Sequence, residues 1–332
     1  MVFDDIIGQE KVVNILLDTI ESGRIGHAYL FVGPDGIGRK SIAKRFSKLI
    51  MCMGEDPNRG RMCGKCVSCK LHTSGTNPDY KVISEAIGKN SISIDAIREM
   101  QDSMTRAPLY GRKSVYVINH AEKMTPQAQN ALLKTLEEPP EYVVLILICS
   151  NVNLLLDTVK SRLSRIDFSR NTDSEIERIL KDNGITPDSM ICSYADGIPG
   201  RALSFSDESD IGSVRKELID IMTQLGNGGV SVRKKAAKVI DSYSDRKDFV
   251  FYTLLSIYRD SMIISRYAKK VKIQNGGYEQ ELYSLAHRLG FHKSKECIEI
   301  IDSTWKSIGR NVNFKLSCEL MLINLQEVEK RK

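Results

Sequence analysis

The chain has 332 residues, 42% of them hydrophobic, and a formal net charge of +6. This length and apolar content predict two or three soluble domains with buried cores, and the mild positive charge is compatible either with nearby nucleic acid or with a lysine-rich solvated surface. The N-terminal segment carries acids where a signal peptide has lysines, and the longest apolar run, at 143–149, is only seven residues long, so the predicted location is the cytoplasm.

Short β-rich runs alternate with helical patterns from residue 1 to about residue 168. The runs lie at 28–33, 80–83, 114–119 and 143–149, and two of the helical patterns lie between them at 40–50 and 128–138. This alternation predicts a parallel sheet covered by helices.

Two helical regions follow this first domain. Residues 169–207 contain short helical segments separated by turns with glycine and proline, which predicts a small helical domain. Residues 208–332 lack strand patterns and contain long amphipathic stretches at 248–270 and 313–330, which predicts a helical bundle. The predicted fold class is therefore α/β, with a parallel-sheet domain followed by two helical domains.

The stretch GPDGIGRKS, at 33–41, follows the first predicted strand and opens a helix, as a phosphate-binding loop does. In the pattern GxxxxGK(S/T), the lysine contacts phosphates and the hydroxyl binds magnesium. Here Arg39 stands in the lysine place and Lys40 in the hydroxyl place. One residue is about 100° of rotation on a helix, so we expect Lys40 and Ser41 to point away from the phosphates, while Arg39 can still hold a phosphate by charge. The turns come from three glycines: Gly33, Gly36 and Gly38.

Four of the eight cysteines crowd into one segment, at Cys52, Cys63, Cys66 and Cys69. In a reducing compartment such a cluster favours a metal over disulfides, and four thiolates are typical of a structural zinc with no open position for substrate. An iron–sulfur cluster is the alternative, because CxxCxxC also occurs in ferredoxins. If Cys52 is not a ligand, His72 is the alternative fourth one.

The predicted strand at 114–119 reaches the place where a nucleotide-hydrolysing site needs an acid for its metal. Asn119 and His120 stand there instead, and Glu122 lies several residues beyond the strand end. Loss of a positioned acid–base group typically lowers a rate by roughly 10²- to 10⁴-fold. The loop and the strand end together predict the scaffold of a nucleotide site without hydrolysis.

Several segments resemble the clamp-loader branch of the AAA+ ATPases: FDDIIGQE, HAYLFVGPDGIG, AQNALLKTLEEPPE and the SRL at 161–163. The segment at 311–325 is similar to the last collar helix of that family. Within the family, the cysteine segment and the altered loop resemble the delta-prime class of the bacterial DNA polymerase III loader. The resemblance implies an AAA+ domain with a zinc module (1–168), a lid domain (169–207) and a collar domain (208–332).

The resemblance also implies a function and partners. Clamp loaders of this kind are heteropentamers that use ATP to place a sliding clamp on primer–template DNA. A delta-prime-like subunit is a non-catalytic stator beside gamma or tau and delta subunits. The cofactor implied for this chain is structural zinc, and whether ATP or ADP binds the altered loop stays open.

The resemblance assigns roles to residues of the SRL segment. Ser161 and Arg162 match a family motif whose arginine reaches the γ-phosphate held by a neighbouring subunit. Such a finger contributes roughly 10³- to 10⁵-fold in other NTPases. The alternative for Arg162 is an ordinary surface salt bridge.

Two further positions match sensor residues of active relatives. Arg201 resembles the arginine with which the lid senses nucleotide, although a structural role in holding the lid helix is the preferred interpretation. Ser150 matches a polar sensor after a strand, and a strand-end cap explains it equally well.

Two rival functions remain at this stage. The chain is a gamma- or tau-like ATPase, or another AAA+ DNA motor, if Arg39 and an unexpected acid restore hydrolysis. It is a zinc-dependent DNA-binding module if the cysteine segment itself contacts DNA.

Overall fold

The structure is a computed structural model that describes residues 2–54, 62–187, 189–204, 211–267, 273–308 and 312–331. The chain divides into two compact units, Met1–Ser204 and Phe205–Lys332. The sequence-derived boundary at 207/208 lies outside the described residues.

The first unit contains five strands and nine α-helices within the described ranges. The strands are β1 (Ala28–Val32), β2 (Tyr80–Ile83), β3 (Ser114–Ile118), β4 (Val143–Cys149) and β5 (Ser164–Asp167). The helices are α1 (Glu10–Glu21), α2 (Arg39–Met51), α3 (Val67–Ser74), α4 (Ile94–Met104), α5 (Pro126–Glu137), α6 (Asp157–Lys160), α7 (Asp173–Asp182), α8 (Ser189–Ala195) and α9 (Pro199–Ser204).

The five strands form one parallel sheet in the order β2-β3-β4-β1-β5. All seven residues of β4 are buried, because helices cover both faces of a parallel sheet. The predicted α/β parallel-sheet fold is confirmed. Its strands share one direction, so the loops that follow β1, β3 and β4 meet at the same edge.

Two apolar layers hold this sheet. Side chains that alternate along each strand point to opposite faces, so Phe31 joins the layer with α1 and α2, whereas Leu30 joins the layer with α4 and α5. The amphipathic pattern of α2 places Ile42 and Phe46 in the first layer. This packing fixes the direction in which α2 leaves the loop after β1.

The helices α7 to α9 have a small core of their own inside the first unit. Helix α7 begins with a capping box, in which Thr172 accepts from the N–H of Glu175 and the Glu175 carboxylate accepts from the N–H of Thr172. Buried Ile176, Leu180 and Ala202 form part of the core. The sequence-derived lid is thus a local cluster of helices, and its standing as a separate domain stays a prediction.

The described part of the second unit is helical. Its helices are α10 (Ile211–Gln224), α11 (Val230–Ser242), α12 (Lys247–Tyr267), α13 (Glu279–Ile308) and α14 (Phe314–Lys330). They enclose a large apolar core that includes Phe251, Ile257 and Leu322. Within the described ranges, the helices are too short or too polar to cross a lipid bilayer.

A buried carboxylate fixes the loop that joins α4 to β3. Asp79, 6% exposed, accepts the backbone N–H groups of Leu109, Tyr110 and Gly111 at 2.8, 2.7 and 3.0 Å. Hydrogen bonds to a charged acceptor are stronger than neutral ones, and losing the acceptor leaves three partly buried donors unpaired.

We expect Asp79→Ala to lower the free energy of unfolding by about 2–4 kcal/mol, because three backbone donors lose their acceptor together. Urea unfolding followed by circular dichroism measures this loss. The exposed Asp102→Ala on α4 is the matched control and should change stability by less than about 0.5 kcal/mol. Equal stability of the two variants would contradict the role of Asp79.

Candidate functional site

The segment after β1 has the geometry of a phosphate loop. Gly36 and Gly38 adopt φ angles of +83° and +103°, a region that favours glycine, and Gly38 is the N-cap of α2. Gly38 offers no side-chain cap, so the amino end of α2 faces the loop with its backbone donors. Gly33 instead packs against Phe168 at the end of β1.

A cleft of about 460 Å³ opens beside this loop. Its walls come from the loop, the start of α2, the end of β3 and the start of α9. The lining includes Gly36, Gly38, Arg39, Lys40, Ser41, Asn119, His120 and Gly200. The structure therefore brings most of the sequence-derived nucleotide-site residues together.

The three polar side chains at the start of α2 occupy different environments. Arg39 is 5% exposed, and its guanidinium forms an ion pair with Asp35. Lys40 and Ser41 are exposed, yet both border the cleft. The expectation that helix rotation points Lys40 and Ser41 away from bound phosphates stays a prediction, because a place at the border of the cleft does not fix the direction of either side chain toward a phosphate.

The end of β3 supplies the cleft with a neutral amide and an imidazole. Asn119 and His120 both line it, and His120 adopts a left-handed φ of +52°. The carboxylate of Glu122 turns instead to Ser150 after β4, whose N–H it accepts at 3.2 Å and whose hydroxyl it also accepts. Ser150 is thus hydrogen-bonded to Glu122, and that carboxylate is not among the groups that line the cleft.

The lid helices contact the loop directly. The N–H of Gly200 donates to the carbonyl of Gly36 at 2.9 Å, and a Cβ on Gly200 would lie 2.8 Å from the Cα of Gly36. The guanidinium of Arg201 is 4.0 Å from the carboxylate of Asp196, which also pairs with Arg170. These contacts favour the structural interpretation of Arg201.

Arg162 lies at the opposite edge of the sheet from the loop. It precedes β5, and Ser164 at the start of β5 is paired with Tyr29 at the start of β1. The five residues of β1 span about 17 Å, which exceeds the reach of an arginine side chain. Arg162 therefore cannot act on a ligand in its own cleft.

The guanidinium of Arg162 is partly exposed and has local partners. It donates to Glu137 Oε1 at 2.6 Å and to the carbonyl of Thr158 at 2.8 Å. The hydroxyl of Ser161 donates to the same carbonyl at 3.2 Å. Arg162 is 36% exposed and Glu137 is 50% exposed, and an ion pair this exposed is weak enough to exchange for another partner.

The four clustered cysteines converge on one point. The sulfurs of Cys52, Cys63, Cys66 and Cys69 all lie within 4.8 Å of one another, and those of Cys52 and Cys63 are 3.6 Å apart. A tetrahedral zinc with bonds of about 2.3 Å requires sulfurs about 3.8 Å apart. The four residues could therefore hold one metal ion, and Cys52 belongs to the set.

Backbone N–H groups stabilise the thiolate of Cys63, whereas burial raises the pKa of the Cys69 thiol. The N–H groups of Cys66 and Lys65 lower the pKa of Cys63 to about 6. Burial lowers the pKa of His72 to about 4, and His72 packs against Tyr80 with ring centroids 4.7 Å apart. The imidazole lies outside the group of converging ligands within the described chain, so the geometry favours Cys52 over His72 as the fourth ligand.

Comparison with known proteins identifies the family. The sequence model of the protein family described as DNA polymerase III, delta subunit, matches residues 8–172 of this chain. DNA polymerase III subunit tau of Bacillus subtilis (strain 168) is 35% identical over 217 residues, which are 62% of this chain and 37% of the relative. Subunit delta' of the same organism is 34% identical over 181 residues, which are 54% of this chain and 53% of the relative. The chain belongs to the clamp-loader family of DNA polymerase III subunits.

The match to these clamp-loader relatives is partial, since the chain spans about half or less of their lengths. Among solved structures, a DNA polymerase III gamma subunit-related protein of Thermotoga maritima overlaps 95% of this chain and 99% of its own, with 17% identity and a TM-score of 0.47.

Sequence reasoning missed the acidic partners of both key arginines. Asp35 stands four residues before Arg39, a spacing that brings side chains together near a helix start and could have suggested the pair. Glu137 lies 25 residues before Arg162, and local sequence carries no signal for that contact. In this clamp-loader chain, each of the two arginines is therefore paired with a carboxylate of the same chain.

We expect the purified chain to bind one equivalent of a thiolate-ligated metal and Cys52→Ser to lower the metal content strongly, because a four-sulfur shell loses a ligand. His72→Gln is the control and should keep the metal. Elemental analysis for zinc and iron, with cobalt substitution to reveal thiolate coordination, measures this. Metal retained in Cys52→Ser and lost in His72→Gln would reverse the ligand assignment.

Proposed function

We propose that this chain is a non-catalytic stator of the DNA polymerase III clamp loader. In this role it stands in a heteropentamer beside gamma or tau and delta subunits and supports ATP-driven placement of the sliding clamp on primed DNA. The observation that carries the proposal is the separation of two features. The altered nucleotide cleft lies where the strands end, and the accessible Arg162 lies where they begin.

The cleft supports the non-catalytic part of the proposal. Magnesium-dependent hydrolysis needs a hydroxyl after the loop lysine and a carboxylate at the end of the neighbouring strand. Lys40 and Asn119 occupy these two places, and both line the cleft. The nearby Glu122 is bound to Ser150. A magnesium ion would meet a cation in place of the hydroxyl, and an uncharged amide oxygen, which binds it only weakly, in place of the carboxylate.

The position of Arg162 supports a role in trans. Its guanidinium cannot reach its own cleft, and it is held at the surface by an exposed carboxylate of Glu137. A γ-phosphate carries more negative charge than a carboxylate and makes several charge-assisted hydrogen bonds. A phosphate on a neighbouring subunit would therefore compete well for Arg162.

The second unit supports assembly through a collar. Leu316 and Leu320 stand one helical turn apart on α14 and are 65% and 58% exposed. Large apolar side chains repeated along one face of a helix mark a surface that is suited to contact with another subunit. Helix α14 is also the segment that resembles the last collar helix of the family.

The cysteine cluster supports a structural zinc. Four sulfur ligands leave no open coordination position, so the metal would tie the end of α2 to the start of α3 and take no part in a reaction. Cys66 also caps α3 by accepting the N–H of Cys69 at 3.4 Å, which couples metal binding to the start of that helix.

We expect the isolated chain to hydrolyse no ATP above background, and Arg162→Ala to lower the DNA-stimulated ATPase of a loader reconstituted with its own gamma or tau and delta subunits. A finger in trans contributes about 10³- to 10⁵-fold, so turnover at the neighbouring site should be abolished while the other sites continue. Steady-state phosphate release measures both results.

Arg165→Ala is the matched control, because Arg165 is an exposed arginine on β5 that pairs with Asp167. It should leave the loader ATPase unchanged. Glu137→Gln should also retain activity, since it releases Arg162 from its local partner. Normal ATPase in a fully assembled Arg162→Ala loader would remove the finger from the proposal and leave the stator role to be judged by subunit stoichiometry.

The second candidate is a gamma- or tau-like ATPase, and the 35% identity to the Bacillus tau subunit favours it. Under this alternative, the isolated chain hydrolyses ATP with magnesium, and Arg39→Ala abolishes the activity. The same assay of the isolated chain therefore separates the two functions.

A further inference from the structure

Arg39 is a buried cation whose hydrogen bonding is incomplete. Its side chain is 5% exposed and borders the cleft at the first residue of α2. One terminal nitrogen, Nη2, is paired with Asp35. The other, Nη1, is buried and has no hydrogen-bond partner in the described part of the chain. A buried donor without an acceptor destabilises the folded chain, so an anionic oxygen that accepts from Nη1 would bind favourably.

Asp35 satisfies only one of the two terminal nitrogens of Arg39. Its carboxylate is 64% exposed and comes from the loop itself, four residues before Arg39. Helix α2 is 13 residues long, and its N-cap, Gly38, contributes no side-chain oxygen. The amino end of a helix attracts negative charge. The Asp35 carboxylate thus partners the arginine that, together with the helix end, favours an anion.

The other charges around the cleft favour an anion as well. Lys40 lines it next to Arg39, while Asn119 is neutral. Two cationic side chains and a helix amino end supply the positive charge that a magnesium ion supplies in a hydrolysing site. A divalent cation at this point would be repelled by Arg39 and Lys40.

We propose that Asp35 is a built-in competitor for anions at the amino end of α2. A pyrophosphate-class anion binds to Arg39 by displacing the Asp35 carboxylate, and it binds without magnesium. The wild-type cleft is consequently a weak anion site, because the Asp35 carboxylate of its own loop already pairs with Arg39. This inference concerns the cleft alone and holds whether or not the chain is a stator.

The test is titration of the full-length, metal-loaded chain with inorganic pyrophosphate, in magnesium-free buffer, by calorimetry and by thermal shift. Asp35→Asn keeps the shape of the side chain and removes its charge. Loss of one competing carboxylate at close range should tighten pyrophosphate binding about three- to tenfold. It should also enlarge the rise in melting temperature that pyrophosphate produces.

Asp18→Asn on α1 is the matched control, because it removes the same charge from an exposed position away from the cleft. Its affinity for pyrophosphate should equal that of the wild type. Arg39→Gln should abolish binding. If Arg39→Gln fails to fold, the comparison of Asp35→Asn with Asp18→Asn decides the proposal alone, since both positions are exposed.

Three results would overturn the inference: equal affinity of wild type and Asp35→Asn, no binding by either at millimolar pyrophosphate, or binding that requires magnesium. A parallel titration with ADP shows whether a nucleoside adds affinity. Tighter binding of ADP than of pyrophosphate by Asp35→Asn, still without magnesium, supports the same competition at the phosphate position. ADP binding that is unaffected by Asp35→Asn would contradict it.

Discussion

The shared direction of the five strands is the constraint on which the rest of the first unit depends. Because β1, β3 and β4 are parallel neighbours and all end at one edge of the sheet, the glycine loop, Asn119 and Ser150 all lie at that edge. The same constraint sends Arg162, which precedes β5, to the other edge. A single sheet thus carries a ligand cleft on one side and a surface arginine on the other, and the two cannot serve one ligand in one chain.

Under the proposed function, this separation would let a chain lose hydrolysis at the cleft and keep an arginine for a neighbouring subunit. Changes at Arg39, Lys40 and Asn119 affect only the edge that carries the cleft. They leave the packing of β5 and the pair formed by Arg162 and Glu137 intact. The cleft and the surface around Arg162 therefore lie far enough apart that a substitution at one need not disturb the other.

Much of the fold was predictable from sequence because its signals are local. An apolar run such as β4 indicates a buried parallel strand, and closely spaced glycines after a strand indicate the loop. The spacing of Cys63, Cys66 and Cys69 indicates a shared ligand set. The positions of β1 to β4 and of the loop followed from these patterns, whereas β5 has only one buried residue and carries no comparable apolar run.

The remaining features were not predictable, since they depend on side-chain directions set by tertiary packing. The choice of Ser150 as the partner of Glu122 requires β3 and β4 to be adjacent, and the pairing of Arg162 with Glu137 requires the end of α5 to lie beside the start of β5. The width of the cleft, which keeps Lys40 at its border, likewise follows from how α9 approaches the loop.

The close approach of Gly36 and Gly200 has an evolutionary consequence. A methyl group on Gly200 would lie 2.8 Å from the Cα of Gly36, and one on Gly36 would lie 3.0 Å from Ile198 and 3.3 Å from Gly200. A hydrogen bond of 2.9 Å joins the two backbones. Neither position can acquire a side chain unless the first turn of α9 is displaced. Relatives in which α9 approaches the loop this closely should therefore keep glycine at both positions. Relatives in which α9 lies further away should vary at both.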